Sequence, residues 1–317
     1  MSLSSIPYAP LPIFNQIFSR LDAQASQIAY NRRRRLFHHD LSTNNTDKEP
    51  DIPISFASLE AARSELDYVY TYATRIAQTL PRPPPVDRSK TSDEIKVSLD
   101  LIRNSSRIRL RQWSSAFENF LQGKHDLTAI EQRAVRILNL HRVVMKLTVD
   151  VAFGALSNEM FWDDYVQDFQ SLVLHAEEVL QLSPAGNQRP GFTLDGEVNM
   201  ALFFAAVKCR HSELRWKAIA LLRSTNRQEG MSNSLLTADV AERLVQIEEE
   251  GLDGAQDAPI PVPKWSRVLG VEVRFDPSKP RATVRYLKLG QNGVIEKVDE
   301  WFVRATSCSA VVTSELC

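Results

Sequence analysis

The sequence predicts a mainly α protein: an antiparallel helix-hairpin array followed by a small C-terminal antiparallel β-meander. Apolar residues recur at helical spacing through about residue 250, and glycine is scarce, at 11 of 317 residues. After Pro263 the pattern changes to β-branched residues alternating with polar ones. These observations divide the chain into an N-terminal helix and linker (1–50), a helical domain (51–256) and a meander with its tail (257–317).

Residues 1–12 carry three prolines and read as irregular; Ile13, Phe14, Ile17, Phe18 and Leu21 then mark a helix directed toward Phe37. The stretch "DLSTNNTDKEPDIP" breaks it with turn formers and prolines. The next helix, "SFASLEAARSELDYVYTYATRIAQTL", has Ser55 or Ser58 as its N-cap and Leu59, Ala62, Leu66, Val69 and Tyr70 on one side. "PRPPP" ends it, because consecutive prolines donate no helical hydrogen bonds. Helices follow at roughly 92–122, 127–156 and 159–182, with the short connections that suit antiparallel neighbours. "SPAGNQRPGF" reads as an internal linker, and helices at about 194–209, 212–225 and 235–250 continue beyond it, Gly251 being placed to cap the last. "VLGVEVRFD", "RATVRYLKLG" and "GVIEKVDEWFV" are the strands of the meander. The helical pairs show no fixed repeat consensus.

The 38 basic and 39 acidic side chains give a net charge of -1, which excludes a global field that would draw the chain onto nucleic acid. Three cysteines, Cys209, Cys308 and Cys317, and a start without the pattern of a secretory signal suit a reducing intracellular compartment. Charges interrupt every apolar run before the roughly eighteen residues that span a bilayer, so no membrane partner is expected. "NRRRR" sets Arg32, Arg33, Arg34 and Arg35 in a row, as a nuclear import signal or as a solvated helix face.

"AAVKCRHSELRW" places Cys209 two residues from His211 at the end of a helix that is apolar nearly all round. A thiolate nucleophile needs a neighbouring cation and an imidazole at hydrogen-bonding distance, and this spacing guarantees neither, so Cys209 is expected to be a buried packing residue. Ser212 is then the N-cap of the following helix. Asp163, Asp164 and Asp168 in "FWDDYVQDF" resemble the acidic helix on which all-α isoprenoid enzymes hold magnesium. The helical wheel sets them off the apolar face, however, and no second acidic motif is evident in the later helices. Asp164, Asp168 and His175 share a direction but spread over three turns, too far for one ion. Glu248, Glu249 and Glu250 oppose the dipole at a helix C-terminus, and are either paired with arginines of a neighbour or tolerated at the surface. No phosphate loop, nucleophile elbow, paired-histidine zinc helix or CxxC occurs, and no catalytic residue, metal or cofactor is expected.

Five blocks carry a resemblance: "LRQWSSAFENFL", "RAVRILNLHRVVMKLTVDV", "FWDDYVQDFQSLVLHAEEVL", "FTLDGEVNMALFFAAVKCRHSELRWKAIALLRSTNRQEG" and "ADVAERLVQIEEEG". In that order the chain resembles, over roughly residues 55–302, the middle-homology region downstream of the DNA-binding module in fungal zinc-binuclear-cluster transcription regulators. The likeness is most specific between Phe192 and Gly230, with a Cys-Arg pair closing an apolar helix and an Arg-x-Glu-Gly turn at Arg227 to Gly230. "KVDEWF" is comparable to the family's acidic-aromatic ending. The six clustered cysteines of the zinc module are absent, and "MSNSLL" stands where the family often has a tryptophan. The resemblance implies a non-enzymatic, transcription-regulator-like protein of the nucleus, or alternatively of the cytoplasm. It would modulate fungal gene expression, such as that of a specialised-metabolite gene cluster, through the transcription machinery or a DNA-binding regulator. No direct sequence-specific DNA binding is expected. The alternative is a magnesium-dependent all-α enzyme of isoprenoid type using the acidic helix at 163–168.

Overall fold

The computed structural model describes residues 51–79, 93–152, 159–182, 191–193, 198–230, 232–250, 262–275, 281–290 and 293–302. Helix α1 (Leu59–Thr79) starts where Ser58 Oγ accepts the Ala61 N–H at 3.1 Å. Helix α2 (Asp93–Gln122) is followed by α3 (Ala129–Ala152). A capping box opens α3: the Glu131 carboxylate accepts the Thr128 N–H at 2.9 Å, while Thr128 Oγ1 accepts the Glu131 N–H at 3.3 Å. A 3-10 segment (Glu159–Tyr165) leads into α4 (Val166–Gln181). Then come β1 (Gly191–Thr193), α5 (Asn199–Lys208), α6 (Ser212–Ser224), β2 (Arg227–Glu229), β3 (Ser232–Asn233) and α7 (Ser234–Glu249). Strands β4 (Val268–Phe275), β5 (Arg281–Gly290) and β6 (Gly293–Phe302) complete the order. The protein is mainly helical, with the antiparallel meander at the C-terminal end, and among the described residues no helix is long and apolar enough to cross a membrane.

Helix α3 organises the interior because it is apolar on two opposite faces. Val135, Leu138, Met145 and Val149 join Phe56, Leu66, Trp113 and Phe117 in a core shared with α1 and α2. Ile137, Leu140, Val143 and Leu147 point the other way, into a core with α4, α5, α6 and α7. Residues 138 and 140 differ by about 200° around a helix, so two such faces follow from the 3.6-residue period. Trp113 centres the first core, its ring 4.8 Å from Phe117 and 5.9 Å from Phe56, with Nε1–H donated to the Ala62 carbonyl at 2.7 Å. In the second, Trp162 meets Phe204 edge-on at 5.2 Å, and Val268, Val284 and Tyr286 bring the meander into the same apolar cluster.

The meander has the order β4-β5-β6, fully antiparallel, with Val273 opposite Val284 and Leu287 opposite Glu296. A register shift between Val268 and Gly270 bends β4 where it leaves the helical part.

Three local readings change. The expected linker ending at Phe192 runs into β1, which pairs in parallel with β2, and β2 pairs in antiparallel fashion with β3. Strands of two and three residues are too short to show alternation, so their pairing comes from tertiary contact. The helix expected over 159–182 is a 3-10 segment before Val166. Ser212 is not the N-cap of α6 but its first residue: extended His211 occupies the cap, with no side-chain oxygen taking a helix N–H. The chain enters α6 at the His211 carbonyl, which accepts the Arg215 N–H at 3.1 Å. The N-terminal helix expected from Ile13, Arg32 to Arg35, the Gly251 cap, Cys308 and Cys317 lie outside the described residues.

Candidate functional site

The residues singled out around 205–216 converge with the acidic end of α7 on one buried carboxylate. Glu248 is 1% exposed, and each of its oxygens is held by an arginine: Arg210 at 2.8 Å and Arg215 at 2.7 Å. The Val268 N–H, at the start of β4, adds a bond of 2.8 Å, and Ser266 Oγ–H donates to the Glu248 carbonyl. Burial alone would raise the Glu248 carboxyl; the two guanidinium groups and the Val268 N–H outweigh it and hold the group below the usual carboxylate range. Burial likewise opposes the charge of Arg210, and Glu248 with Glu159 outweighs it in favour of the cation.

The network extends outward through matched charges. Lys208 Nζ donates to Glu159 at 2.8 Å, and Arg210 lies 3.0 Å from the other Glu159 oxygen. Arg267 donates to both oxygens of Asp163, at 2.9 and 2.7 Å, and to the Glu159 carbonyl at 2.8 Å. With Glu249 at 3.7 Å from Arg215, four cations (Lys208, Arg210, Arg215, Arg267) face four carboxylates (Glu159, Asp163, Glu248, Glu249). The Glu248 to Glu250 run therefore divides. Glu248 is paired with arginines of neighbouring elements, as one of the two readings had it, and Glu250 is exposed, 3.6 Å from Arg243.

Cys209 closes α5 as a fully buried residue, its N–H donated to the Ala205 carbonyl at 3.0 Å. Burial pushes its thiol above the ordinary value, against smaller opposing effects of the His211 backbone and of Arg215 and Arg210. A thiol held in its neutral form is a poor nucleophile. This geometry fits the packing reading of the Cys-Arg-His triplet.

The Arg-x-Glu-Gly turn forms a second junction. Glu229, buried, accepts the N–H groups of Val198 and Asn199 at 2.9 and 2.8 Å and so caps the start of α5 from 30 residues away. Val198, at the cap position, makes no side-chain cap of its own. Gly230 adopts φ 53°, a left-handed conformation that suits glycine, and its N–H reaches the Thr193 carbonyl at 2.7 Å. Asn233 then caps α7 with two bonds of 3.1 Å, to the Leu235 and Leu236 N–H groups.

The acidic residues of 163–168 are drawn apart. Asp163 serves Arg267, Asp168 accepts from Lys146 Nζ at 2.6 Å, and Asp164 is exposed. His175 Nδ1 lies 3.2 Å from Glu178 Oε2. Among the described residues no three His, Cys, Asp or Glu side chains gather as metal ligands. Sequence reasoning passed over Arg215 and Arg267, whose one available signal was an arginine set at an otherwise apolar position.

Compared with protein-family models, curated proteins and solved structures, the chain gives no match.

Proposed function

We propose that the chain is a non-enzymatic helical scaffold of the fungal transcription-regulator kind, acting on gene expression through protein partners. The supporting observation is where the resemblance-bearing residues fall. The Cys209-Arg210 pair and the Arg227 to Gly230 turn build adjoining corners of one structural unit, α5, α6, β2 and α7. Residues that carry a likeness to a fold-defining region are here used to define a fold. Glu159, Arg210, Arg215 and Glu248 are ion-paired among themselves at the centre of the molecule, which suits a body that presents surfaces. Trp265, 56% exposed in the turn before β4, and Trp216 on α6 are aromatic side chains of the type that anchors interfaces.

The tagged chain recovered from native nuclei should carry transcription machinery or a DNA-binding regulator identifiable by mass spectrometry. Absence from nuclei together with magnesium-dependent turnover of an isoprenyl diphosphate would overturn the proposal.

A further inference from the structure

A groove of about 490 Å³ lies between α2, α3 and α4, away from the Glu248 network. Its volume is in the range of small-molecule sites. Four cationic side chains line it, Arg107 and Arg111 from α2 and Arg142 and Lys146 from α3, against two carboxylates, Asp150 and Asp168. Two of the cations are committed. Arg107 Nε–H donates to Asp150, whose side chain is only 10% exposed, and Lys146 holds Asp168 at 2.6 Å.

The other two are held more loosely. Arg111 makes one bond, from Nε–H to the Arg107 carbonyl at 3.4 Å, and no ion pair with a described residue. Arg142 comes no nearer to a carboxylate than 3.6 Å, to an exposed Glu118. Two arginines from adjacent helices thus line one concavity with N–H donors left over, in a chain whose net charge is -1. Their planar forks suit phosphate or carboxylate oxygens.

The remaining lining defines the rest of the ligand. Leu110 and Val143, 7% and 8% exposed, edge the groove with a little apolar surface, and Val149 behind it is fully buried. Ser114 and Ser171 donate their hydroxyl hydrogens to carbonyls of their own helices, Leu110 at 2.8 Å and Gln167 at 3.0 Å, and leave donation to the arginines. His175 at the rim is engaged with Glu178, which also lies 3.4 Å from Arg136.

We infer that this groove is a binding site for a small organic anion, a phosphate or carboxylate head on an apolar body, with Arg111 and Arg142 gripping the head. The inference is independent of the transcription-regulator reading.

Titration calorimetry of the full chain at low salt tests it with phenyl phosphate, benzoate, inorganic phosphate and phenol. Phenyl phosphate or benzoate should bind one to one, about tenfold or more tighter than inorganic phosphate and than phenol, because head and ring are both held. The tighter of the two anions identifies the head group. Arg111→Gln and Arg142→Gln should each weaken binding about tenfold. Arg111→Lys, which keeps the charge but loses the fork, should weaken it by less, and Lys217→Gln on α6 should leave it unchanged. No anion binding tighter than phenol would overturn the inference, as would undiminished binding in the folded Arg111→Gln and Arg142→Gln variants. Arg111 is exposed, so its variants should retain the wild-type circular dichroism.

Discussion

The two cores that meet at α3 differ in how deeply their charges lie: Arg109 of α2 pairs with Glu65 of α1 at 2.6 Å with both side chains partly exposed, whereas Arg215 and Glu248 are each 1% exposed. On the α1–α2 side the centre is Trp113, surrounded by Phe56, Phe117 and Phe120, and its one polar atom is satisfied by the Ala62 carbonyl. On the α5–α7 side a comparable apolar cluster is bordered by the eight-charge network around Glu248. Apolar contact is non-directional and scales with the area removed from water, so it draws helices together without strongly fixing which end of one faces which end of another. Buried charges are directional and costly when misplaced. Glu248 takes bonds from the corner after α5, from α6 and from the start of β4, so only one relative placement of these elements satisfies it. The contrast assigns bulk stability to the apolar clusters and the register of the C-terminal elements to one carboxylate.

The strongest way to break the contrast is Glu248→Ala. It leaves Arg215 buried with Glu249 at 3.7 Å and Arg210 buried with Glu159 at 3.0 Å, and should cost about 3–5 kcal/mol in urea denaturation. Protonation should approximate the same change. Because the folded Glu248 carboxyl is held below its ordinary value, its contribution is present above the unfolded carboxylate pKa and is lost as pH falls through the lower folded value. Acid titration should therefore release the meander while near-ultraviolet dichroism of Trp113 persists. Simultaneous loss of both signals would show that the two cores do not differ in this way.

Trp113→Phe probes the apolar side. It keeps most of the ring area and removes the indole N–H, at an expected cost of about 1–3 kcal/mol. This cost should be nearly independent of pH between 3 and 8, since no described titratable group bonds to the ring nitrogen. A steep acid dependence would mean that the Arg109–Glu65 pair between α1 and α2 is coupled to the packing of Trp113.

The contrast also explains what the sequence made legible. The helix expected at 127–156, the cap at one of Ser55 and Ser58, and the alternation in "RATVRYLKLG" are local patterns, and the structure has α3, the Ser58 cap and β5 there. The Glu248 hub is non-local. Its partners stand 38, 33 and 20 residues away, and no spacing rule joins a glutamate at a helix end to arginines on other elements. The dipole argument did mark Glu248 to Glu250 as out of place, and such a local misfit is the sign that a distant partner can leave. The cap on α5 failed to show for the same reason: Glu229 reaches Asn199 across 30 residues, whereas the eye looks for a cap among the adjacent ones. Ser212 misled because it had the right chemistry one position past the point where the His211 carbonyl starts the helix.

The smallest expected effect lies where the two kinds of interaction touch. Cys209 is buried in the apolar cluster, yet its neighbour Arg210 belongs to the charge network. Cys209→Ala removes one sulfur's packing and should cost about 1 kcal/mol, the lower end of the large-to-small range, because the atom lost is small. Cys209→Ser keeps the size but buries a hydroxyl, and should cost more unless that hydroxyl finds a carbonyl. Since burial raises the folded thiol's pKa, the neutral form is favoured in the folded protein. That contribution is complete below the ordinary thiol pKa and is lost as pH rises through the higher folded value. Iodoacetamide should accordingly label Cys209 slowly in the native protein and rapidly once it is unfolded. Fast native labelling at neutral pH would instead mean that Arg210 and Arg215 stabilise a thiolate, placing Cys209 on the charged side of the comparison and returning it to candidacy as a nucleophile.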